Sequence, residues 1–161
     1  MKKSLKLLKK KYDKIFFYPF GLSSQDRKLN IYTPIYNKKI FHFLSSSEKS
    51  YVIKKLKYHY KSKSKYFKLH KNKITLKKYD NLKFKIKPTF VKIDVEGHDH
   101  EVVYGMKKTI KKFKPVILIE YNPENFKKIY DQLKNFYSCH IFNISMENLV
   151  ILKELEIKKL L

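Results

Sequence analysis

The sequence predicts an α/β protein, with parallel strands in its second half and an antiparallel strand pair at its end. Three observations carry this. Runs rich in β-branched and aromatic residues, "PTFVKID" at 88–94 and "PVILIEY" at 115–121, are separated by stretches whose apolar residues recur at helical spacing. Strands alternating with helices favour parallel pairing through right-handed crossovers. Hydrophobic residues make up 43% of the 161-residue chain and aromatics 16%, enough for one packed core and too short a chain for two comfortable ones.

Taken in order, Leu5 and Leu8 lie three apart in a lysine-rich opening that reads as the tail of a helix. "KIFFYPFGL" (14–22) reads as a buried strand stopped by Pro19 and Gly21, and "KLNIYTPI" (28–35) as a second strand after the turn "SSQDR". Between 36 and 65 the pattern gives way to lysine, serine and tyrosine, which predicts an inserted or mobile segment. Within it "SSSE" (45–48) has the spacing of a capping box and starts a helix to about Tyr58. "YFKLHKNKITL" (66–76) is extended. The strand at 88–94 is bracketed by Pro88 and Gly97.

Val102, Val103, Met106, Ile110 and Phe113 then share one face of a helix that ends before Pro115. The apolar strand 115–121 is of the kind found inside a parallel sheet covered on both faces. "PENFKKIYDQLKNF" (123–136) is a helix with Pro123 in its first turn and Phe126, Ile129, Tyr130 and Leu133 as its stripe. "SCHIFNIS" (138–145) and "NLVILKE" (148–154) complete the chain as an antiparallel pair.

The formal charge of +24 rests on 38 Lys+Arg, of which only Arg27 is arginine. A protein reading base edges would be expected to use arginine's bidentate fork, so no specific nucleic-acid partner is expected. Non-specific attraction to phosphate or an anionic membrane surface stays open. So does a composition that merely follows an AT-rich coding sequence, since alanine and tryptophan are absent while Lys, Ile, Asn, Tyr and Phe abound. The single cysteine, Cys139, precludes an internal disulfide and fits a reducing compartment, with the cytoplasm as the default. Lysines interrupt the leucines of "MKKSLKLLKK" before a signal-peptide core can form. The aliphatic run at 116–119 is far short of the ~20 residues that span a bilayer.

In open α/β sheets, ligands gather at the carboxyl ends of the strands. Asp94 and Glu120 end two neighbouring strands on that side, and Glu96 shares a face with Asp94 in extended chain. The structural alternative is that Asp99 caps the following helix, Asp94 accepts loop amide bonds and Glu96 is solvated. His98 is a candidate proton acceptor near neutral pH, against the alternative of a surface histidine. His98 and His100, two apart, diverge on a helix, so no metal site is expected. The glycines Gly21, Gly97 and Gly105 are isolated and build no phosphate loop.

"FVKIDVEGHDHEVVYGM" (90–106) followed by "KPVILIEYN" (114–122) resembles the FkbM-type methyltransferases. The matching residues are Lys92, Ile93, Asp94, Val95, Glu96, Gly97, Glu101, Val102, Gly105, Pro115 and Glu120. "FGLSSQDRKLNIY" (20–32), "ITL" (74–76) and "NLVIL" (148–152) are similar to other elements of the family, so the resemblance covers about 15–155. Where the family carries an acid after the Thr-Leu element, this chain has Lys77.

The resemblance implies a class I methyltransferase sheet of Rossmann-like type and S-adenosylmethionine as methyl donor. It implies an acceptor oxygen on a sugar, lipid or secondary metabolite, so the expected partner is a small molecule or glycan. It places Asp94 beside the donor's methyl and the acceptor, with Glu96 and His98 orienting the acceptor or taking its proton. Gly21, Leu22 and Ser23 correspond to a loop passing the adenine, and Glu120 is a substrate-side candidate. The family's Gly-rich loop and ribose-binding acid find no counterpart. The expectation is therefore a single domain over 1–161 lacking its N-terminal cofactor half, with the "FVKID" strand left open at one edge, weak binding of the donor and little or no activity. The alternatives are a basic module for nucleic acid or anionic membranes on a degenerate methyltransferase fold, and a folded remnant without activity.

Overall fold

The computed structural model describes residues 11, 12, 14–84, 86–95, 97–143 and 148–151. Its strands are β1 (Gly21–Ser23), β2 (Arg27–Tyr36), β3 (Lys39–Ile40), β4 (Lys68–Lys78), β5 (Phe90–Ile93), β6 (Val116–Ile119), β7 (His140–Asn143) and β8 (Asn148–Ile151). Its helices are α1 (Lys49–Tyr60), α2 (Asp99–Gly105), α3 (Lys107–Phe113) and α4 (Pro123–Leu133).

The mixed sheet runs β1-β4-β2-β3. β2 and β4 form its long antiparallel ladder, from Arg27 opposite Leu76 to Ile35 opposite Lys68, and β1 lies parallel to β4. Asn37 and Lys38, both at positive φ, turn β2 into β3. β5 and β6 pair in parallel, β7 and β8 antiparallel. The α/β character, the parallel pair and the closing antiparallel pair thus appear as expected. The described strands nevertheless divide among three sheets instead of one. Ile86, Pro88 and Thr89 precede β5 without joining a ladder, and Pro88 has no N–H to give one.

Two apolar clusters hold these pieces. Ile93 of β5 packs with Val102, Val103, Met106 and Ile110, against Leu22, Ile117, Ile119, Ile129 and Leu133. Leu44, Val52 and Leu56 pack with Tyr32, Phe41, Phe67 and Leu69, so the lysine-rich stretch read as an insertion supplies a core of its own.

Four sequence expectations are corrected. The strand expected over 14–22 is only Gly21–Ser23, and Phe16 stands 66% exposed; aromatic content signalled burial, but Pro19 interrupts the donors a ladder needs. The single helix through Phe113 is two, broken at Met106, whose φ of −103° and ψ of 6° are not helical. Strand β6 is not covered on both faces, since Val116 and Leu118 are exposed while Ile117 and Ile119 turn inward. The capping box at 45–48 does not form. Glu48 itself is the N-cap, and its N–H donates to Ser46 Oγ at 3.2 Å. The opening helix at Leu5 and Leu8 lies outside the described residues, as do parts of the last two predicted strands. No described helix is long and apolar enough to cross a membrane.

Candidate functional site

The register of the parallel pair sets the site's geometry. Ile93 lies opposite Ile119, so Asp94 and Glu120 leave the two strands at the same carboxyl end. The chain then reverses through Gly97, whose φ of 88° is one that side-chain-bearing residues rarely adopt. Two side chains pin this turn. Asn125 of α4, itself buried, donates from Nδ2 to the Gly97 carbonyl at 2.8 Å. Asp99, also buried, accepts the Val95 N–H at 3.4 Å, so it serves the loop, while the N-cap position of α2 falls to His98.

His98 is half-buried between the two halves of the fold. Its Nε2 lies 3.0 Å from Ser23 Oγ on β1 and 3.5 Å from Arg27 Nη2 on β2. Next to it Ser24 donates its hydroxyl to Glu101, and Glu101 Oε1 lies 3.5 Å from His100 Nε2. Burial pushes the His98 imidazole below its usual pKa. The nearby Glu101 and Asp99 oppose that shift, while the Arg27 and His100 charges add to it. The hydrogen bond from Ser24 holds Glu101 below the ordinary carboxylate value, against a smaller effect of burial.

Beside His98 opens a cleft of about 860 Å³. Gly21 and Leu22 of β1, with Leu29, Ile31, Ile74 and Leu76 of the mixed sheet, give it an apolar wall. The opposite side is polar: Val95, Gly97, His98, Asp99 and His100 at the turn, then Glu120 through Asn125, with Lys128 of α4. Ser45 to Glu48, Tyr51 and Lys55 close the third side. Apolar walls with a few convergent polar groups are the usual make-up of a small-ligand site.

Of the residues singled out from the sequence, Gly21, Leu22, His98 and Glu120 line this cleft. Ser23 is fully buried behind His98. The Asp94 carboxylate is exposed and held by Lys92 Nζ at 2.8 Å, outside the cleft lining, and the pair raises the lysine's pKa. Glu96 lies outside the described residues. Sequence reasoning missed Arg27, Tyr51, Lys55, Asn122 and Asn125. The lone arginine in a lysine-only chain was the one available signal among them. Among the described residues no cluster of three or more His, Cys, Asp or Glu side chains could hold a metal ion.

Compared with known proteins, the chain matches the family model described as the methyltransferase FkbM domain, over residues 6–139. No curated protein and no solved structure matches it significantly.

Proposed function

The chain belongs to the FkbM methyltransferase family, and on that premise we propose that it transfers a methyl group from S-adenosylmethionine to a hydroxyl oxygen of a sugar, lipid or secondary metabolite bound in the cleft. The observation that carries this reading is the cleft at the carboxyl end of the β5–β6 pair, lined there by His98 and Glu120. In this reading the β5–β6 pair is a parallel part of a Rossmann-like methyltransferase sheet.

The cleft's residues fit the donor. Its volume of about 860 Å³ lies in the range that encloses a small ligand. Leu22, Leu29, Ile31 and Leu76 offer an apolar wall to a purine, with Gly21 beside it, and Glu48, Glu120 and Glu124 offer carboxylates to hydroxyls or to positive charge. S-adenosylmethionine, when bound, supplies an electrophilic methyl on a sulfonium. The chain's own residues then position an acceptor oxygen and deal with its proton, and positioning alone can supply much of the acceleration. Glu120 is the cleft-lining carboxylate that follows a strand end, and we assign it the acceptor's hydroxyl proton. His98 orients the bound ligand. Asp94 stays at the strand tip outside the cleft, paired with Lys92, and is given no part in this reading.

Amide NMR spectra titrated with S-adenosylmethionine test the reading. Binding weaker than micromolar is expected, with shifts concentrated at Leu22, Gly97, His98 and Tyr121. A titration to millimolar donor that moves none of these resonances removes the donor assignment. For catalysis, Glu120→Gln should lower methyl transfer to a hydroxyl acceptor about 10²-fold; unchanged turnover would transfer the proton-accepting role elsewhere.

A further inference from the structure

Two polar side chains converge on one nitrogen of His98. Ser23 Oγ stands 3.0 Å from Nε2, and Ser23 is fully buried. A serine hydroxyl can give or take a hydrogen bond, so this contact alone leaves the ring's tautomer open. Arg27 closes the question, because its Nη2, 3.5 Å from the same nitrogen, can only donate. A proton on Nε2 would point at the guanidinium and its charge.

We propose that Ser23 and Arg27 are positioning residues that fix His98 as a neutral ring with its proton on Nδ1, so that His98 offers the cleft a hydrogen-bond donor and not a base. The proposal rests on the reading of the cleft as the ligand site. It also names the chemistry His98 selects there: an accepting oxygen, such as a carboxylate or hydroxyl oxygen. The charged neighbours do not reverse it. Glu101 is engaged by Ser24 and faces His100, and Asp99 is turned to the Val95 amide. The sole arginine sits at the first position of β2, from which it reaches the His98 ring at the head of α2.

The test is the tautomer itself, read by long-range ¹H–¹⁵N correlation of the histidine rings in the full chain at about pH 7.5, with His98 assigned by loss of its signals in His98→Gln. The expected wild-type pattern is an unprotonated Nε2 and a protonated Nδ1. Arg27→Met should shift the pattern towards a mixture of the two tautomers while amide dispersion persists, and Ser23→Ala should do so to a smaller degree. A wild-type ring protonated at Nε2, or at both nitrogens, overturns the proposal whether or not the variants fold. An Arg27→Met spectrum with the wild-type tautomer overturns the arginine's role. Addition of S-adenosylmethionine to the same sample separates the two readings. A fixed tautomer with no response anywhere to the donor upholds the clamp and sinks the methyl-donor assignment.

Discussion

Gly105 in α2 approaches the carbonyl of Ser23 in β1 so closely that a Cβ built on it would lie 2.0 Å from that oxygen. The contact is backbone against backbone, so no side chain can swing aside to relieve it. It sets how near α2 can come to the mixed sheet, and hence the reach of His98, at the head of the same helix, to Ser23 Oγ.

Gly105→Ala should therefore destabilise the fold by about 3 kcal/mol, the upper part of the range for forcing extra volume into a packed site. The backbones must separate, and the His98–Ser23 contact should be lost with them. Urea unfolding followed by circular dichroism measures the first effect and histidine-ring NMR the second. A variant within about 0.5 kcal/mol of wild type would mean that the close approach does not exist in solution.

Asn125→Ala should be costly for a different reason. Its amide is the partner of the Gly97 carbonyl at 2.8 Å, in a turn whose conformation only glycine adopts readily. Removal leaves a part-buried acceptor unsatisfied, for about 1–3 kcal/mol. Because the turn carries Gly97 and His98 into the cleft, donor-induced NMR shifts should weaken as well. Full stability together with undiminished shifts would show the turn to be held by other means.

Much of the second half was legible because its signals are local. The strand-forming run 90–93 and Pro123 at a helix start each sit inside one element, and the stripe through Val102, Val103, Met106 and Ile110 kept its apolar face across the break at Met106. Parallel pairing, expected from the alternation of strands and helices, put Asp94 and Glu120 at one strand end, although only Glu120 lines the cleft. What stayed hidden depends on pairing between distant segments. Arg27 reaches His98 only because β2 pairs with β4 and β4 with β1. Tyr51 and Lys55 wall the cleft from a stretch whose composition resembled an insertion. The aromatics at 16–18 misled for the same reason: apolar character announces a preference for burial, not whether a partner is present.

Asp80 caps a helix to which it does not belong. Its carboxylate accepts the N–H groups of Lys108 and Thr109 at 2.8 and 3.0 Å and the Thr109 hydroxyl at 2.8 Å, closing the start of α3 from the 3-10 turn after β4. Asp80→Ala should cost about 1–2 kcal/mol, as helix caps do. Asp80→Asn, which keeps one accepting oxygen, should cost less. Urea midpoints that rank the asparagine variant as low as the alanine variant would contradict a capping role.

Stability should also fall on mild acidification, with His98 responsible for a definable part. Its folded pKa lies below the ordinary 6.5, so as pH drops the unfolded chain takes up this proton before the folded chain does. The contribution is complete above about pH 6.5 and is lost as pH falls through that value towards the folded pKa. Glu101 acts in a separate, lower window. Its folded pKa lies below 4.5, so its contribution is present above that value and is lost as pH falls through the folded pKa. Urea midpoints of wild type should thus decrease between about pH 7.5 and pH 5.5, and His98→Gln, which can still accept from Ser23 and Arg27 but cannot titrate, should decrease less. Identical slopes for the two proteins across that interval would show that folding does not hold this imidazole in its neutral form.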